Sequence, residues 1–238
     1  MGTTPPGTHG ERDAAAWVRE MFDRIAPRYD LLNHLLSFNV DRLWRRRTVA
    51  RVGPVLERAE ARVVDLCCGT GDLMRALAGN ARARIFGSDF SHPMLVRARH
   101  KAAAASVFES DVLRLPLRDA SVDLVTVAFG FRNLANYEAG LREFRRVLRR
   151  GGLAAILEFS TPPNPLFARL YGWYANRVLP RIGGAISGAP HAYRYLPQSV
   201  RSFPAPEELE RMMRRAGFAR VRWERMTFGI VALHLGTV

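Results

Sequence analysis

The residues most able to do chemistry begin in one short run, Val63-Val64-Asp65-Leu66-Cys67-Cys68-Gly69-Thr70-Gly71-Asp72. A β-branched strand enters a glycine turn and leaves into a helix. Bare backbone and free helix N–H groups therefore meet at one point. A dinucleotide would require a third glycine where Met74 stands, and Asp72 occupies the place of its pyrophosphate. A zwitterionic amino-acid tail is compatible, because Asp65 at the strand end can accept its ammonium. Asp89 closes the next apolar run, where a carboxylate meets ribose hydroxyls. Asp111 ends a third run; it can accept an exocyclic amine while the N–H of Val112 donates to a ring nitrogen. Asp65, Gly69, Thr70, Gly71, Asp89, Asp111 and Val112 thus form a candidate set for one nucleoside with an amino-acid tail.

Three acids at successive strand ends require a parallel sheet. The sequence predicts strands over 62–66, 84–88, 106–111, 122–129 and 153–159, separated by helices over 71–78, 93–103 and 136–149. Gly151-Gly152 is expected to stop the last of these helices. Alternating strands and helices mean a sheet covered on both faces. Residues 13–53 read as a helical cap: Trp17, Met21, Phe22 and Ile25 share one face, and Pro27 breaks that helix. A basic helix then starts at Asn39 or Asp41, carries Leu43 and Trp44, and ends at Gly53-Pro54. Residues 161–204, rich in proline and aromatics, read as an inserted lid. A helix over 206–216 and two closing strands, 219–226 and 229–235, complete the chain. The expected fold is α/β: a Rossmann-like, seven-stranded, mostly parallel sheet with N-terminal helices and a lid. Its late hairpin matches the class I methyltransferase sheet, and the nucleoside is then S-adenosyl-L-methionine (SAM).

The 238 residues suit one domain, 13–238, preceded by a disordered tail, 1–12. No apolar run approaches the roughly 18 residues of a membrane helix, and the N-terminus lacks the apolar core of a signal peptide. Cys67 and Cys68 are adjacent and unsuited to pairing, so a cytoplasmic location is expected. The net charge of +14 invites a nucleic-acid reading, a basic RNA-binding protein on a methyltransferase fold. However, Lys101 is the sole lysine and the arginines are scattered, which argues against it. The densest cluster, Arg45 to Arg47, reads as a solvated helix face. Attraction to an anionic membrane surface stays open. No metal-ligand spacing appears, and the oligomeric state is not legible.

Several separated motifs resemble one family. Tyr29-Asp30-Leu31-Leu32-Asn33-His34-Leu35-Leu36-Ser37-Phe38 with Trp44 is similar to the first signature of the quinone-biosynthesis C-methyltransferases, which act on demethylmenaquinol or on a polyprenyl benzoquinol. The second signature is similar to Arg146-Val147-Leu148-Arg149-Arg150-Gly151-Gly152-Leu153 through Leu157-Glu158-Phe159-Ser160. Phe129-Gly130-Phe131-Arg132-Asn133-Leu134, Tyr193-Arg194-Tyr195-Leu196 and Gly229-Ile230-Val231-Ala232-Leu233-His234 also match. The resemblance implies SAM-dependent C-methylation of a polyprenylated quinol, demethylmenaquinol first and the benzoquinol second. It suggests Tyr29, Arg132 and Asn133 as the polar wall of the ring pocket, with His191 and Tyr193 as alternative proton acceptors. Peripheral contact with the inner face of the cell membrane would bring such an enzyme to its lipid. Ala128 departs from the family, which has a serine there, and no contact is carried over at that position.

Overall fold

The computed structural model describes residues 2–79, 81–103, 105–178, 181 and 190–238, with the side chains of 32, 36 and 190–194 left out. Seven strands form one sheet: β1 (Arg62–Leu66), β2 (Arg84–Asp89), β3 (Ser106–Glu109), β4 (Val122–Ala128), β5 (Leu148–Phe159), β6 (Arg220–Met226) and β7 (Val231–Thr237). Their order is β3-β2-β1-β4-β5-β7-β6. The first five run parallel, and β7 is antiparallel to both its neighbours. This is the expected sheet with its late hairpin.

Because side chains alternate along a strand, the apolar runs feed two cores. Val64, Leu66, Val125, Val127 and Ile156 face one, where Phe144 and Leu141 of α6 (Tyr137–Val147) and Leu209 of α9 (Pro206–Arg215) pack. Val63, Ile85, Leu124, Leu157 and Leu233 face the other, under Trp44 and Val52 of α3 (Val40–Leu56) and Leu73 and Leu77 of α4 (Asp72–Ala78). α5 (His92–Lys101) closes that face through Ala98. α6 starts where Asn136 caps it, accepting from Ala139 N at 2.9 Å. The N-terminal cap is α1 (Glu11–Ile25), a short turn at Ala26–Arg28, and α2 (Tyr29–Leu36). The described residues between 161 and 205 include α7 (Pro165–Trp173), a π-helical turn at Tyr174–Val178, and α8 (Pro190–Ser202).

Four expectations are corrected. The N-terminal tail is packed: Thr3 N donates to Leu134 O at 2.9 Å, its hydroxyl meets Tyr195 Oη at 2.7 Å, and α1 already starts at Glu11. α3 runs through Gly53-Pro54 to Leu56; Ala50, whose carbonyl loses its partner at the proline, is exposed to water. Gly151-Gly152 do not stop α6. Leu148 already pairs with Val122 in β5, and Gly151 (φ 75°) lies inside that strand near a register shift. β3 ends at Glu109, so Asp111 sits in the turn beyond it.

Gly71 (φ 87°) is required for packing as well as for the turn. A Cβ there would lie 3.1 Å from Met74 Cε and 3.2 Å from Ala98 Cβ, where α4 and α5 meet. Gly71→Ala is expected to cost about 1–3 kcal/mol from left-handed backbone and crowding. That corresponds to a melting-point drop of roughly 2–10 °C for a domain of this size, measurable by calorimetry.

Candidate active site

Strand order reverses between β1 and β4, which opens a crevice at their carboxyl ends. Two loops enter it. After β1, Cys67 (φ 49°) and Gly69 (φ 55°) hold left-handed backbone; after β4, Phe129 (φ 61°) does the same. A first cleft, with an empty volume of about 690 Å³ out to solvent, is lined by Gly69, Asp89, Asp111, Val112, Met94 and Asn133, among others. Asp89, at the end of β2, accepts from Gly69 N at 2.8 Å and from Ser91 N at 2.9 Å. Burial nonetheless pushes its carboxyl up to about 6, and these N–H groups offset that only in part. Asp111 is exposed and accepts from Leu113 N at 2.8 Å. A side chain at Gly69 would stand against Tyr29 Cε1, so glycine keeps the cradle open. Cys67 lines the same cleft, but burial and the neighbouring carboxylates Asp89 and Asp65 hold its thiol well above the usual range, so it is no nucleophile.

Three of the expected cofactor residues stand behind this cleft. Gly71 is at the α4–α5 contact. Asp65 is 1% exposed; its Oδ1 accepts from Thr126 Oγ1 at 2.7 Å and its Oδ2 has no partner among the described residues. Desolvation raises its pKa to about 7. Thr70 turns away into a polar knot: its hydroxyl bonds Asp30 of α2, and Lys101 Nζ reaches Thr70 at 3.0 Å, Asp30 at 2.6 Å and Asp72 at 2.8 Å. Beside it, His34 Nδ1 lies 2.9 Å from Asp41, and Arg45 pairs with Asp41 and approaches Asp72 at 3.7 Å. Arg45 is therefore buried, not part of a solvated face. His34, Asp41 and Asp72 have a metal-like spacing, but Arg45 and Lys101 already neutralise the two carboxylates. The knot fastens α2 and α3 to the glycine loop.

A second, larger cavity, open to water and with an empty volume of about 1930 Å³ out to solvent, adjoins the first. Phe22, Tyr29 and Phe129 line both. Trp44, Phe129 and Phe159 form its aromatic wall, with ring centroids 4.8–6.2 Å apart. Arg132 lines it and is buried. Its Nη1 donates to Glu158 Oε1 at 2.9 Å and to the Phe129 carbonyl, its Nε to Ser199 Oγ at 3.3 Å, and its backbone N to Glu158 Oε2 at 3.1 Å. Burial works against that charge, but Glu158 together with Tyr195 and Tyr29 outweighs it and keeps the guanidinium protonated. Tyr29 lines the cavity beside Asn33; burial holds its phenol above the ordinary range. Asn133 lies on the cofactor side instead, and its Oδ1 accepts from Tyr195 Oη at 3.1 Å.

The backbone of His191 and Tyr193 belongs to α8, but their side chains lie outside the described residues. Tyr195, two residues on, lines the larger cavity. Glu158 and Tyr195 were missed in the sequence reading. A lone carboxylate inside the apolar run Leu153 to Phe159 was the available signal for Glu158.

The switch-point cleft on this sheet is that of a class I SAM-dependent methyltransferase. A solved SAM-dependent methyltransferase from Thermotoga maritima is similar in fold, with a TM-score of 0.66 at 21% identity, covering 92% of this chain and 98% of that one. The chain belongs to the ubiE/COQ5 methyltransferase family, whose model matches residues 9–238. It is 52% identical over 221 residues to the demethylmenaquinone methyltransferase of Thermus thermophilus, covering 91% of this chain and 99% of that one. It is 48% identical over 236 residues to that of Deinococcus radiodurans, covering 97% and 96%. SAM is the cofactor, and no helix among the described residues is long and apolar enough to cross a membrane.

Asp65 and Asp89 contribute one slope to the variation of stability with pH, and His234, whose imidazole pKa burial lowers to about 4, contributes the opposite one between about 4 and 6.5. Both carboxyl pKa values are raised on folding, so between about 4 and 7 these two groups hold more protons in the folded state than in the unfolded chain. The part of the stability due to these two carboxyls therefore falls as pH rises through that window and changes no further above it. Urea unfolding at pH 5 and 7.5 is expected to show this slope, and Asp65→Asn is expected to flatten it. A variant with the wild-type slope would remove Asp65 as its source.

Proposed function

We propose that this chain methylates a ring carbon of a polyprenylated quinol, demethylmenaquinol in the first place, with SAM as donor. The observation that carries the reading is the pair of joined clefts. One is lined by backbone and carboxylates suited to a nucleoside; the other is aromatic and large enough for a fused ring and the start of a tail. Relatives that bear the demethylmenaquinone methyltransferase name support it over nearly their full length. A relative from Syntrophotalea carbinolica, 46% identical over 224 residues, is named for ubiquinone and menaquinone biosynthesis together, which keeps the benzoquinol as the second substrate.

In this reading Asp89 and Asp111 hold the ribose and adenine, and Gly69 lets the cofactor lie against bare backbone. Bound there, SAM supplies an electrophilic sulfonium methyl group, for which an electron-rich carbon is the fitting acceptor. An oxidised quinone carbon is itself electrophilic; the quinol ring, above all as its phenolate, is not. Tyr29, at the junction of both clefts, orients the ring by a hydrogen bond to its oxygen. Arg132 presents fixed positive charge to the developing phenolate, held in place by Glu158. The ring proton leaves to water ordered in the cavity. The tail runs out along α7, so the enzyme works at a membrane surface.

A purified-protein assay on a short-tailed desmethyl naphthoquinol is expected to give methyl transfer with dithionite present and none without it. Equal rates on the oxidised ring would sink the mechanism. Asp89→Ala is expected to weaken SAM binding about tenfold to a hundredfold by calorimetry.

Arg132→Ala would strand Glu158 as a buried charge, at a cost of about 3–5 kcal/mol, so activity loss in that variant would be uninformative. Arg132→Lys keeps the charge and loses the fork. It is expected to fold and bind SAM, yet to turn over about a hundredfold more slowly in single-turnover assays. A wild-type rate would remove Arg132 from the chemistry.

A further inference from the structure

We infer that the face around the mouth of the larger cavity docks onto an anionic lipid bilayer, with α7 and α2 as its two contact edges; this rests on the proposed polyprenylated substrate. α7 exposes Leu166, Leu170 and Trp173, at 78%, 62% and 57%. Their i, i+4, i+7 spacing makes one apolar stripe facing water. α2 exposes Leu31, Leu35 and then Phe38 just beyond its end, with the same spacing. Buried faces are the rule for such stripes, and two exposed ones side by side form a patch that needs a partner.

The stripes are contiguous with the cavity. Phe38 is 73% exposed and also lines it, and its ring lies 6.0 Å from Tyr174 after α7. On the other side Phe228, in the turn before β7, packs against Phe167 of α7 at 5.2 Å. Thr227 beside it lines the cavity too. An apolar chain leaving the cavity would thus emerge onto apolar surface.

The charge selects the occupant. No acidic residue occurs between Glu158 and Glu207, while Arg169, Arg177, Arg181, Arg194 and Arg201 do. Arg169 and Arg177 are exposed and form no ion pair among the described residues. Arg42 and Arg46, flanking the exposed Leu43 on α3, are likewise exposed and unpaired. Some exposed arginines elsewhere do meet glutamates, as Arg51 meets Glu224 and Arg225 meets Glu207; what sets this face apart is that its own segment carries no carboxylate to meet them. A second copy of this chain would bring the same sign against itself in a two-fold contact. An anionic headgroup layer matches the charge, and the acyl region matches the stripes.

The test is co-sedimentation of the full chain with phosphatidylcholine vesicles, with and without phosphatidylglycerol. Binding is expected to be selective for the anionic vesicles and weakened by salt. The combined substitution Leu166→Ser, Leu170→Ser and Trp173→Ser, and separately Arg169→Glu with Arg177→Glu, should each weaken it roughly thirtyfold or more. None of these residues lines the cavity, so melting temperature and methylation of a short-tailed, water-soluble quinol should stay at wild-type level. Wild-type protein that ignores lipid charge, or variants that bind as wild type, would overturn the docking face. So would a dimer that both sets of substitutions dissolve without any change in vesicle binding. Inactivity of the wild-type protein on every quinol would overturn the substrate reading and leave the vesicle result standing.

Discussion

The junction of the two clefts depends on one buried carboxylate. Glu158 projects from β5 into a region where nothing else can satisfy it. It accepts from the backbone N of Arg132, from its Nη1, and from Phe159 N. Those bonds fix the turn after β4, and with it Phe129, whose left-handed backbone lets its ring separate the cofactor cleft from the larger cavity. A buried ion pair adds little to stability compared with a well-packed apolar pair. Its service here is geometric: it holds a permanent cation in an aromatic chamber, 5.3 Å from the Phe159 ring centroid, where water would otherwise screen it.

The remaining walls are brought in from the N-terminal cap. α2 delivers Tyr29 and Asn33 to the chamber, while Leu31 and Leu35 on its outer side face water. The polar knot anchors it. Lys101 ties Asp30 of α2 to Thr70 and Asp72 of the glycine loop, and Arg45 with His34 ties Asp41 of α3 to the same Asp72. Ser91 adds a bond to Asp23 of α1 at 2.5 Å. The glycine loop is therefore the part that positions the α2 wall of the larger cavity.

This division explains what the sequence could and could not disclose. The sheet was legible because β-branched runs separated by amphipathic helices admit few arrangements, and the acids at the strand ends followed from it. Asp89, Asp111, Val112 and Gly69 do line the first cleft. Asp65 is assigned there to accept an ammonium, and Thr70 and Gly71 as members of the turn; in the fold Asp65 meets Thr126, Thr70 meets Asp30, and Gly71 packs against Ala98. Nothing local distinguishes the side facing a ligand from the side facing the knot. Asn133 was assigned to the ring and faces the other cleft for a similar reason: one residue along a tight turn changes the direction of a side chain. Partners distant in the chain, such as Arg45 with Asp41 and Asp72 or Thr3 with Tyr195, depend on tertiary contact and leave no periodic trace. Gly151-Gly152 misled because a glycine pair serves a bulge as readily as a helix stop.

The arginines close the account. The net charge of +14 is unevenly matched by carboxylates along the chain. On the sheet's flanks arginines meet carboxylates: Arg58 and Arg149 converge on buried Asp123, and Arg146 bridges Glu143 and Asp119. These pairs cancel locally and project little field beyond a Debye length. The segment after Glu158 has no acidic residue of its own, and Arg169 and Arg177 on it form no ion pair among the described residues, so positive charge stands beside the mouth of the cavity. The composition of the whole chain, which by itself suggested nucleic acid, thus includes one segment where positive charge meets no carboxylate and lies beside exposed apolar residues. That combination suits a planar anionic layer with an oily interior better than a groove lined with phosphates, because a nucleic acid would leave the exposed leucines and Trp173 in water.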